Sequence, residues 1–72
     1  MKRDVNEILR LMYDNINLMQ CCFKDLIGMM YVKKIITGLE SLDIDNYLDN
    51  HLPYESAWNY NDRLNWLKKQ IK

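Results

Sequence analysis

One spacing constrains this chain more than any other. Val5, Leu9, Met12, Ile16, Met19, Phe23, Leu26 and Met30 follow one another at intervals of 4, 3, 4, 3, 4, 3 and 4 residues. Apolar residues at a mean period of 3.5 lay one stripe along an α-helix, because side chains return to the same face after seven residues. Ile8, Cys22 and Met29 widen the stripe beyond a strict two-stranded seam, so it offers area to more than one neighbour. Glu7, Arg10, Asp14, Asn17 and Lys24 occupy the other side. With two Gly and one Pro, the chain lacks the turn chemistry of a many-stranded sheet. The expected fold class is all-α.

Asp4, with Glu7 three residues on, reads as a helix start. From there the stripe predicts a long N-terminal amphipathic helix over about 4–37, with a kink at Gly28. At 1.5 Å per residue the stretch 5–36 alone would be roughly 48 Å long. Lys33 and Lys34 would sit in its last turn against the negative dipole end, and Gly38 would take the C′ position. Thr37-x-x-Glu40 is also a capping box, so a chain that turns near 37–38 and restarts is a competing reading. Asp43 as cap, then Ile44, Tyr47 and Leu48, predict a short helix over about 43–51, ended by Pro53. Ala57, Tyr60, Leu64, Leu67 and Ile71 predict a C-terminal helix over about 54–71. Asn61 or Asp62 could cap a shorter version of it. Residues 1–72 read as a single small helical domain.

A domain of this size buries only about 60% of its unfolded surface and needs a staple, a metal or a partner. Cys21 and Cys22 are adjacent, a spacing that disulfide geometry disfavours. His51 is the only histidine and no C-x-x-C occurs, so neither a metal nor a cofactor is expected. Elimination leaves association. The expectation is a homodimer through Val5, Leu9, Met12, Ile16, Met19, Phe23, Leu26 and Met30. The longest apolar run, 26–32, is far short of the ~20 residues that span a bilayer. No membrane association and a cytoplasmic location are expected.

The formal net charge is zero, which argues against a simple polycation coating nucleic acid. By segment the charge is +2 over 1–38, −6 over 39–62 and +4 over 63–72. Tyr54, Trp58, Tyr60 and Trp66 crowd the C-terminal end, as a small aromatic core or as anchors for a partner. The expected partner-binding residues combine both features: Asp43, Asp45, Tyr47, Asp49, Tyr54, Glu55, Trp58 and Trp66. The aspartates of 43–49 lack the Gly and terminal Glu of a calcium loop. Ser41 and Ser56 lie in no nucleophile motif, and Cys21 and Cys22 have no histidine near them in sequence. No catalytic residue is expected.

The favoured function is a small non-enzymatic interaction protein that binds and inhibits or retunes a larger protein. A DNA-replication or DNA-processing protein with a basic groove would suit the acidic segment. Eight Asn, seven Ile and seven Lys against one Ala suggest an AT-rich coding source. In size and composition the chain is similar to small phage-encoded inhibitors of host proteins, and to antitoxin or immunity proteins. No motif carries that likeness. The alternatives are an antitoxin or immunity protein and a dimeric DNA-binding regulator using Lys33, Lys34 and the basic tail on phosphates.

Overall fold

The computed structural model describes residues 3–18, 22–52 and 58–71. Among them it is all-helical: α1 (Val5–Asn15), a 3-10 turn (Ile16–Leu18), α2 (Phe23–Val32), α3 (Gly38–His51) and α4 (Tyr60–Gln70). The long helix over 4–37 is not formed. The molecule extends 32 × 21 × 19 Å, too short for a rod of that length. α1 stops at Asn15, whose side-chain amide donates to the Leu11 carbonyl at 2.8 Å. Asparagine competes in this way for the helix's own carbonyls, which favours an end over continuation. A 3.5-residue period is satisfied by each half of the stripe separately, so periodicity alone does not reveal the break. α2 runs through Gly28 as one continuous helix.

The core collects the stripe from both halves. Ile8, Leu9, Met12, Ile16, Phe23, Leu26, Ile27 and Met30 are buried, joined by Ile36, Ile44, Leu48 and Leu67. Burying a side chain of this size contributes about 2 kcal/mol. α1 packs against both α3 and α4, and α2 packs against α3. Every fully buried side-chain nitrogen and oxygen among the described residues has a hydrogen-bond partner.

The helix ends follow local chemistry. Asp4 caps α1 by accepting from the Glu7 amide at 2.9 Å. Thr37 and Glu40 form a complete capping box, so the competing reading of 37–40 is the correct one. α3 is therefore longer than the 43–51 expected, and Gly38 is its first residue instead of a C-terminal cap. The left-handed position after α2 belongs to Lys34, at φ 63°. Its amide donates to the Tyr31 carbonyl at 3.0 Å and that of Ile35 to the Met30 carbonyl at 2.9 Å. This is the Schellman pattern, usually built on glycine. Leu52 is extended (φ −115°, ψ 119°), the conformation that a following proline imposes, and it ends α3. α4 starts at Tyr60 instead of 54, with Asn59 and Asp62 as a second capping box; the cap lies two residues before Asn61.

Candidate interaction surface

The stripe proposed as a dimer seam lies inside one chain. Leu9, Met12, Ile16, Phe23, Leu26 and Met30 are at most 3% exposed, and Val5 is half-buried against them. Met19 lies outside the described residues. Two helices joined by a turn fold the stripe onto itself and onto α3 and α4. Leu9, Met12, Ile16, Phe23, Leu26 and Met30 therefore have no exposed face to offer a second copy.

The acidic segment is largely used within the fold. Glu40 is buried in the α3 capping box and Asp62 belongs to that of α4. Asp45 and Asp49 both accept from the Lys24 ammonium on α2, at 3.2 and 3.1 Å. Burial draws the Lys24 pKa down, but the hydrogen bonds and charges of Asp49 and Asp45 together outweigh it and hold the group above 10.5. Asp43 is half-buried. Tyr47 faces α4, where its hydroxyl donates to Gln70 Oε1 at 3.1 Å, and it stacks on His51 with ring centroids 4.1 Å apart. Tyr54 and Glu55 lie outside the described residues. Among the described partner-binding residues expected from sequence, Asp45 and Asp49 thus meet Lys24 while Tyr47 meets α4.

Glu40 holds a junction that the sequence reading only half revealed. Its carboxylate accepts from the Thr37 amide at 2.8 Å, the Arg3 amide at 2.8 Å and the Arg3 guanidinium at 3.1 Å. Arg3 also donates to the Ile35 carbonyl at 3.2 Å. One carboxylate thereby ties the segment before α1 to the start of α3. The backbone donors of Thr37 and Arg3 lead in holding its pKa below 4.5, with the Arg3 charge helping; together they overcome the effect of burial. The capping box was legible, whereas Arg3, 37 residues away, carries no local signal.

The aromatic pair is brought together. Trp58 and Trp66 are both half-buried, with ring centroids 6.4 Å apart, and Trp66 tilts against Phe23 of α2 at 5.6 Å. With Asp62, Asn65 and Lys69 they line an open hollow of about 400 Å³. The α4 capping box fixes Asp62 and the helix period brings Asn65, Trp66 and Lys69 to the same side. Aromatic walls with a carboxylate, an amide and an ammonium at the rim suit a protein side chain or a short peptide segment. Among the described residues no group of three or more His, Cys, Asp or Glu is placed to hold a metal, and no helix is long and apolar enough to cross a membrane.

The arrangement defines a small all-α domain with an aromatic surface hollow. No protein-family model matches the chain, and comparison with curated proteins and with solved structures gives no match.

Proposed function

We propose that this protein acts by binding: it is a small non-enzymatic interaction module that seats part of a larger protein in the Trp58–Trp66 hollow, and so inhibits or retunes that protein. The observation that supports this reading is the partial exposure of two neighbouring tryptophans in an open, polar-rimmed hollow. Tryptophan is enriched among the residues that dominate binding energy at protein interfaces. The acidic aspartates support it less, because Lys24 already engages two of them.

Trp58 separates a binding role from a packing role better than Trp66, which rests on buried Phe23. Immobilised wild-type chain and Trp58→Ala are compared for protein capture from cell lysates, with each fold checked by circular dichroism. The variant should stay folded and lose capture by about tenfold or more. Equal capture by both chains overturns the reading. So does tight, salt-sensitive duplex binding in a low-salt gel shift, the behaviour of a DNA-binding regulator.

A further inference from the structure

Four large apolar side chains are more than half exposed among the described residues: Tyr31 (53%), Val32 (76%), Leu39 (66%) and Leu42 (60%). All four flank the corner between α2 and α3. Tyr31 Cε1 lies 3.6 Å from where a Cβ on Gly38 would stand, so the ring overlies the first turn of α3. Leu42, four residues beyond Gly38, continues the same face. Tyr31, Val32, Lys34, Ile36 and Thr37 enclose an open hollow of about 420 Å³ beside it.

Charge is ordered along this face. Lys33 and Lys34 stand exposed at the corner. Leu39, Leu42 and Asn46 follow on the outward side of α3. Asp45 and Asp49 lie at the far end, with side chains 34% and 64% exposed. Lys24 supplies one positive charge against their two negative charges, so that end stays acidic. A face that reads basic, apolar, acidic matches itself when turned end for end. An acidic or basic partner would leave one end unmatched.

We infer that a second copy of this chain docks here, with the two α3 helices antiparallel across a two-fold axis near Leu42. Leu39 and Leu42 of both copies form the centre. Lys33 and Lys34 of each copy meet the Asp45–Asp49 end of the other. A two-fold dimer requires one patch that is complementary to itself, and this patch meets that condition. The surface shares no residue with the Trp58–Trp66 hollow, so either proposal can fail alone.

Sedimentation equilibrium of the full chain from about 1 μM to 1 mM tests this inference. The mass should rise from 8.8 kDa toward twice that value. Leu39 and Leu42 are outside the core, so Leu39→Asp with Leu42→Asp should leave the circular dichroism unchanged and weaken the dimer at least roughly tenfold. Lys34→Glu and Asp49→Lys should each weaken it about fivefold, since symmetry counts each change twice. Together they should restore it. A monomer throughout the range overturns the inference, even if these leucines prove to bind another protein. A dimer indifferent to Leu42→Asp, or charge reversals that do not compensate, also overturns it.

Discussion

Both ends of α3 are held by a cation from elsewhere in the chain, yet the two junctions differ in kind. At the start, Glu40 is 1% exposed and its carboxylate answers two backbone amides and the Arg3 guanidinium. Toward the end, Asp45 and Asp49 meet Lys24 in the open, where all three side chains keep a third or more of their exposure. Water already solvates the second set, so pairing adds little. At the first, the carboxylate is shielded from water while the Arg3 side chain stays 42% exposed, so it is the buried acceptor whose pairing matters most. Burial separates a structural lock from a surface pair.

The largest test of this contrast is Glu40→Ala. It removes the shared acceptor of the Thr37 and Arg3 amides and of the partly exposed guanidinium, and should cost about 2 kcal/mol in a urea melt. Glu40→Gln keeps an acceptor but removes the charge, and should cost about 1–2 kcal/mol. The same pair sets an acid response. Folded Glu40 holds its proton less tightly than the unfolded chain does, so its stabilisation is complete above pH 4.5 and is lost as the pH falls through the lower folded value. Wild type should therefore lose stability below that pH and Glu40→Gln should lose less; parallel acid profiles would refute the assignment.

Lys34→Gly probes the corner next to Glu40. Glycine accepts the left-handed backbone without the Cβ penalty, so thermal unfolding should show a gain of about 1 kcal/mol. Lys24→Met tests the exposed end, and the expected change is within about 0.5 kcal/mol. A loss matching that of Glu40→Ala would erase the distinction between the two junctions.

Local chemistry was readable from the sequence, and distant chemistry was not. The all-α class, the Asp4 cap, the Thr37–Glu40 box and the apolar stripe all depend on residues within one or two turns of each other. The break after Asn15 escaped because the stripe keeps its spacing across it. Lys34 escaped because the left-handed position is normally marked by glycine, and Gly38 drew the assignment instead. The acidic segment looked like a surface because its partners, Arg3 and Lys24, lie 37 and 21–25 residues away. The sequence groups Trp58 and Trp66 with Tyr54 and Tyr60, but only the packing of Trp66 on Phe23 shows which tryptophan is the freer anchor.

The Arg3–Glu40 bond also gives the molecule a built-in clock. Arg3 is outside any helix, and an amide in such a segment ordinarily exchanges with solvent without hindrance. Here that amide donates to a buried carboxylate, so its hydrogen leaves only when the segment before α1 lifts from α3. The exchange rate of this single proton reports the opening of the whole junction. Its slowing relative to the amides of α1 would show whether the segment detaches alone or only as the core comes apart.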